Sequence, residues 1–135
     1  MISENALLEW AQVYGNRYGV PRAQVKETLA RGESVIVGTD VQGVDNIRRV
    51  EPGALTIFVA PPSPEALEAR LRSRGGIEEP TIQLRLAEAR LEMERADSFD
   101  YTIVNHDGGL EAAIDRMVEI IELESRQTDR PTPSV

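Results

Sequence analysis

Cysteine is absent from this 135-residue chain, which removes disulfides, thiol nucleophiles and thiolate metal sites together and leaves the redox compartment undetermined. Lysine is nearly absent: Lys26 stands alone and every other basic residue is an arginine. A phosphate-binding loop of the form GxxxxGKS or GxxxxGKT therefore cannot be written anywhere in these residues, and GxGxxG is missing too. Histidine occurs once, as His106. Ser/His/Asp catalysis would have to run through it, no nucleophile elbow lies near it, and its plainer reading is a solvated loop residue. No helix pattern shows paired metal-ligand spacing, so neither a catalytic residue nor a metal ligand is assigned. Apolar runs of the ~18 residues that span a bilayer are lacking, as are a basic n-region and a continuous apolar core at the start. A soluble, cytoplasmic protein with no membrane partner is expected. The net charge of −8 argues against nucleic acid as a partner, because phosphate contacts need concentrated Lys and Arg.

The length suits one folded region able to bury a core without staples. Residues 6–19 read as two short extended segments joined by Gly15-Asn16 turn chemistry. Pro21 opens a short helix with Val25 and Leu29 on its apolar edge. Val35-Ile36-Val37 describes a buried strand that delivers Asp40 to its C-terminal tip, the place where open parallel sheets hold ligands. The plainer reading of Asp40 is an N-cap for the helix marked by Val44, Ile47 and Val50. A second strand is expected over Leu55–Val59. Ser63-Pro64-Glu65 supplies an N-cap oxygen, a preset φ and an acid for the next helix, whose buried edge is Leu67 and Leu71. Periodicity fades from Arg72 to Glu79 around Gly75-Gly76, which predicts a surface loop. A helix over about 81–96 carries Ile82, Leu86, Ala89 and Met93; Tyr101–Val104 is a third strand; a final helix over about 110–124 presents Ile114, Met117, Val118 and Ile121. Residues 126–135 show no core-facing period and are expected to form a disordered tail. Strands alternating with helices imply an α/β layer with a largely parallel sheet.

Two further groups of residues can carry chemistry. Arg70 and Arg74 sit one helical turn apart, and Arg85 lies in the helix beyond the Gly-Gly loop. Together they can close guanidinium forks over a polyphosphate. The plainer reading is a charged surface paired with Glu65, Glu68, Glu78 and Glu79. Glu9 and Tyr18 flank the Gly15-Asn16 turn, where a carboxylate can accept two hydrogen bonds from the N1–H and exocyclic amine of guanine, a donor pair that adenine lacks.

Taken together, these motifs resemble the guanylate kinase family. Residues 8–19, LEWAQVYGNRYG, are similar to its GMP-binding hairpin, and Asp40-Val41-Gln42-Gly43 to its DxQG signature. Phe58 to Ser63 resembles the strand before its lid, Arg70-Leu71-Arg72-Ser73-Arg74-Gly75 and Arg85-Leu86 its lid arginines, and Tyr101 to Asn105 its IVN strand. The resemblance runs to about Ser125. It implies that Glu9 and Asp40 read guanine, Tyr18 holds the GMP phosphate, Arg70, Arg74 and Arg85 embrace ATP phosphates, and Asn105 lies near the adenine. The implied reaction is ATP plus GMP to ADP plus GDP with magnesium, a transfer that depends on positioning and charge neutralisation. Residues 1–33 would then be a remnant of the GMP-binding region, 34–125 the kinase-like core with a lid at about 72–86, and 126–135 the tail.

Departures from the family pattern shape the functional expectation. Met1 resembles a position inside the family's chain, so the first strand, the P-loop with its lysine and the following helix have no counterpart. Val20 replaces a usual Ser or Thr, and Gly38 stands where an acid normally precedes the DxQG aspartate by two. The expectation is a truncated, pseudoenzyme-like chain that binds GMP weakly, needs no cofactor for that, and has no useful kinase activity alone. Its sheet would be incomplete, because the P-loop strand lies in the family between the strands corresponding to Val35–Val37 and Leu55–Val59. A rearranged core, strand exchange in a homo-oligomer, or a P-loop-bearing partner chain would fill the gap. A non-catalytic interaction module, as in membrane-associated guanylate kinase homologues, is the other functional class.

Overall fold

The computed structural model describes residues 7–13 and 16–126, with side chains from residue 21 onward. It forms two compact units, one running to Ala54 and the other beginning at Leu55.

In the first unit, β1 (Leu7–Val13) and β2 (Asn16–Pro21) pair antiparallel, with Val13 opposite Asn16 and a register shift between Leu7 and Glu9. This is the expected hairpin; its turn residues Tyr14 and Gly15 lie outside the described residues. Helix α1 (Arg22–Ala30) begins one residue later than expected, because Pro21 stays extended (φ −63°, ψ 121°) and serves as the N-cap. Val25 is buried, as its place on the apolar edge requires. Gly32 then takes φ +77°, a left-handed conformation that glycine adopts without a Cβ clash. Helix α2 (Val41–Val50) packs against β1, and Arg48 and Arg49 in its last turn complement the negative end of the helix dipole.

The expected strand at Val35–Val37 does not form. Residues 33–40 have no regular secondary structure, and Ile36 is 75% exposed rather than buried. The physical reason is that β-branched residues favour a strand only where a neighbouring ladder satisfies the backbone and a face is covered. No strand pairs with this stretch among the described residues.

The second unit holds the parallel sheet, which among the described residues consists of two strands, β3 (Ile57–Ala60) and β4 (Tyr101–Val104). Ile57 pairs with Tyr101 and Ala60 with Val104. Just before the strands, Asp100 Oδ2 accepts from the Thr56 N–H at 2.8 Å and from the Thr56 hydroxyl at 3.1 Å, while Asp100 N–H donates to Thr56 Oγ1 at 3.0 Å. That reciprocal set sets the register and satisfies the buried Thr56. At the other end, Asn105 N–H donates to the Ala60 carbonyl at 2.8 Å, extending the ladder by one step.

Between the strands run α3 (Pro64–Arg74) and α4 (Glu79–Glu94), followed by a short 3₁₀ turn at Ala96–Ser98. Ser63 caps α3 as expected: its Oγ accepts from the Ala66 N–H at 3.1 Å, with proline in the first turn. Leu71, Ile82 and Leu86 form the buried seam between the two helices, with Leu67 and Ile77 packed against it. Phe58 and Phe99 meet edge to face, ring centroids 5.2 Å apart. The connection between α3 and α4 is shorter than the loop expected over Arg72–Glu79, since both helices run into that segment.

Helix α5 (Leu110–Ser125) turns a different face inward from the one expected. Ile120 is the most buried side chain, at 1% exposure, whereas Ile114 and Val118 are about half exposed. The cause is legible in the helix itself: Leu110, Ile114 and Val118 line one side, Met117 and Ile120 another, and the described elements cover only the second. Tyr101 fixes the far end, its hydroxyl donating to Glu124 Oε1 at 2.6 Å, a bond that holds the phenol above its ordinary pKa. The expected tail lies, from residue 127 on, outside the described residues.

Candidate functional site

Asp40 occupies the N-cap of α2, where its Oδ1 accepts from the Gly43 N–H at 2.9 Å. The plainer sequence reading is therefore realised, and it is compatible with a ligand role, because the cap uses one carboxylate oxygen and holds the group half-buried at a helix start. Asp40 and the hairpin belong to the same compact unit. Glu9 lies in β1 opposite Val20, and Tyr18 in β2 opposite Ala11; their side chains lie outside the described residues. Gly38, two residues before Asp40, is exposed, and a Cβ built on it would meet nothing within 4 Å.

In the second unit, Arg70 leaves α3 toward the C-terminal ends of the parallel strands. Its Nε donates to Asp107 Oδ1 at 3.0 Å, and its Nη2 donates to the backbone carbonyl of Asn105 at 2.6 Å. Two residues singled out from sequence, Arg70 and Asn105, thus meet directly. Asp107 was not singled out; its only signal was its place just beyond the third strand. Arg74 is exposed at the last residue of α3, ahead of two glycines with φ +67° and +70°. Arg85 is half-buried on α4. His106 is exposed in the turn after β4.

Arg72 behaves as the charged-surface reading predicted for its neighbours. It bonds Glu79 through both terminal nitrogens at 2.7 and 2.8 Å and reaches Glu68 at 3.1 Å. Its pairing leaves the charge pattern of α3 divided: Arg72 ties the helix hairpin together, while Arg70 points to the strand ends.

Among the described residues no group of three or more His, Asp or Glu side chains could hold a metal ion. No helix of the described residues is long and apolar enough to cross a membrane.

The second unit is thus α/β with the Arg70 guanidinium at the C-terminal end of a parallel strand pair, the end at which open parallel sheets hold ligands, and the first unit carries an acid at a helix N-cap. The family profile described as guanylate kinase matches residues 1–124, and the chain belongs to the guanylate kinase family. It is 46% identical over 120 residues to a guanylate kinase of Synechocystis sp., covering 89% of this chain and 62% of that protein. To a guanylate kinase of Nitrosomonas europaea it is 42% identical over 130 residues, covering 96% and 64%. The crystal structure of guanylate kinase from Anaplasma phagocytophilum superimposes with a TM-score of 0.78 at 31% identity, covering 96% of this chain and 61% of that one. The chain thus spans between 61% and 64% of the length of these three relatives.

Proposed function

We propose that this chain is a guanine nucleotide-binding domain of guanylate kinase type, whose family reaction is ATP plus GMP to ADP plus GDP. The observation that carries the reading is the Arg70 guanidinium seated 2.6 Å from the Asn105 carbonyl at the end of β4, where a phosphate ester would meet it. Within this reading, Glu9 and Asp40 accept the guanine N–H donors and Tyr18 bonds the GMP phosphate. Arg70, Arg74 and Arg85 neutralise ATP phosphates, residues 72–86 act as the lid, and Asn105 lies by the adenine. The partition into a GMP-binding remnant (1–33) and a core (34–125) belongs to the same proposal, as does a cytoplasmic location.

These 135 residues contain no GxxxxGK sequence. In such a loop that motif supplies the nest of N–H groups and the lysine that cradle the β- and γ-phosphates. On their own they therefore bind GMP weakly and do not turn over. Calorimetric titration with GMP tests the first half, with Glu9→Ala and Asp40→Asn expected to weaken binding. Asn retains the helix cap but offers one acceptor and one amide where the carboxylate offered two acceptors. Absence of any saturable GMP binding would favour a non-catalytic interaction module instead. GMP-dependent ADP release by these residues alone would refute the inactivity.

A second reading, a kinase completed by a P-loop-bearing chain or by another copy, is favoured by one feature. Among the described residues β3 pairs only with β4, and Val59 and Val104 are 51% and 40% exposed. Light scattering that showed a stable monomer would remove the homo-oligomer version. A monomer that gained no activity on mixing with a P-loop-bearing chain would remove the other.

A further inference from the structure

Arg70 is held along one edge of its guanidinium. Nε donates to Asp107 Oδ1 at 3.0 Å, Nη2 lies 3.0 Å from the same oxygen, and Nη2 also donates to the Asn105 carbonyl at 2.6 Å. A guanidinium carries five N–H donors in one plane. The hydrogen bonds engage the Nε hydrogen and one on Nη2, which also lies in ion-pair range of Asp107; the described residues offer no acceptor to Nη1.

Both acceptors are themselves fixed. The Asn105 N–H is bonded to the Ala60 carbonyl at 2.8 Å, so its peptide rides on the sheet. Asp107 lies within a four-residue turn closed by the Gly109 N–H on the His106 carbonyl at 2.9 Å. The turn depends on Gly108 at φ +71°, the left-handed position that a type II turn reserves for glycine. At Gly109 a Cβ would come within 3.2 Å of the His106 carbonyl oxygen, tighter than most such contacts, so a side chain there would press on the turn. The Asp107 side chain is 80% exposed, and so open an ion pair adds little to folding stability. Its consequence is orientation: a long side chain is kept in one rotamer by two acceptors set 35 and 37 residues away along the chain.

We propose that Asp107 is a positioning residue which, with the Asn105 carbonyl, presents the Nη1 edge of Arg70 to a phosphate oxygen of a polyphosphate. The inference rests on the reading of Arg70 as a phosphate ligand and adds to it a residue outside the arginine set. The anion joins Arg70 rather than displacing Asp107, because the Nη1 donors are distinct from those bonded to Asp107 and Asn105.

Titration of the full chain with inorganic tripolyphosphate separates the possibilities, using Arg70→Ala, Asp107→Ala and Asp107→Asn. Asp107→Ala is expected to weaken binding on the order of five-fold, the scale of one lost ordering hydrogen bond. Asp107→Asn, which keeps the Oδ1 acceptor, should recover most of that loss. Nitrogen-15 spectra of the free chain supply the independent readout: the Arg70 Nε–H resonance should lose its restricted mobility in Asp107→Ala and keep it in Asp107→Asn. If Arg70→Ala weakens binding while Asp107→Ala leaves it unchanged or tighter, the positioning role is refuted and the phosphate reading survives. If the chain does not bind tripolyphosphate, or Arg70→Ala leaves binding unaltered, the phosphate reading falls and this inference with it. A fall in melting temperature common to both Asp107 variants, with affinity unchanged, would also overturn the proposal.

Discussion

Arg72 in the last turn of α3 and Glu79 at the first residue of α4 face each other end on, with two parallel N–H···O bonds of 2.7 and 2.8 Å. The fork spans Gly75 and Gly76, whose φ values of +67° and +70° let the chain reverse in a few residues. A planar guanidinium matches a carboxylate in this way and a lysine does not. Arg72 is thereby committed to the hairpin.

That fork has a pH signature. Donation from Arg72 first, and from Gln83 second, lowers the Glu79 carboxyl from 4.5 to about 2, and the same pairing raises Arg72 above its ordinary value. A carboxylate whose folded pKa is depressed stabilises the fold fully above its unfolded pKa and ceases to do so as the pH falls through the folded one. The contribution should therefore be complete above pH 4.5 and disappear on approach to pH 2. Carboxyl NMR of Glu79 is expected to give a midpoint near 2 in the parent and a return toward 4.5 in Arg72→Met. An ordinary midpoint in the parent would show that the fork does not persist in solution.

Truncation in the α3–α4 seam should cost far more than truncation on the exposed side of the same helix. Leu86 is 7% exposed and Leu91, on the same helix, is 63% exposed. Leu86→Ala is expected to destabilise by about 2–5 kcal/mol through lost burial and a residual cavity. Leu91→Ala should fall within about 0.5 kcal/mol of the parent. Urea unfolding followed by circular dichroism would measure both; equal effects would contradict the packing described.

Gly38 is open to a side chain: an added Cβ meets nothing, and the residue is not among the glycines with positive φ. Gly38→Asp should thus fold as the parent does, within about 0.5 kcal/mol. By supplying the acid expected two residues before Asp40, it should also tighten GMP binding several-fold. Parallel melting and GMP titration decide it, and a variant that folds normally with unchanged or weaker GMP binding would count against guanine reading at this end of α2.

Much of the architecture was readable because it is set locally. Ser63-Pro64-Glu65 names a helix start by chemistry that needs no partner, and the hairpin around Asn16 follows from turn residues and alternation. Val35–Val37 misled because a β-branched run states a preference that only a neighbouring ladder can realise. Helix α5 misled for a related reason: apolar residues lie on more than one side, and only the fold decides which side is covered. At the site, residue type and spacing indicated Arg70, and the family resemblance indicated Asn105. Asp107 could not be found that way, since its role depends on a turn bringing one carboxylate to one guanidinium. Arg72 was equally opaque, as sequence assigns an arginine its charge but not the carboxylate it will fork.

The parallel pairing of β3 with β4 also has a kinetic meaning. Thr56 and Asp100, which set its register, are separated by 44 residues, whereas Arg72 and Glu79 are separated by 7. Closing a long loop carries an entropic barrier that local contacts do not, so the α3–α4 hairpin is the piece able to assemble first and shorten the path for the strands. Arg70 reaches Asn105 across 35 residues, through the same closure. The arginine and its backbone acceptor are therefore brought together only by the long-range closure that also pairs the strands.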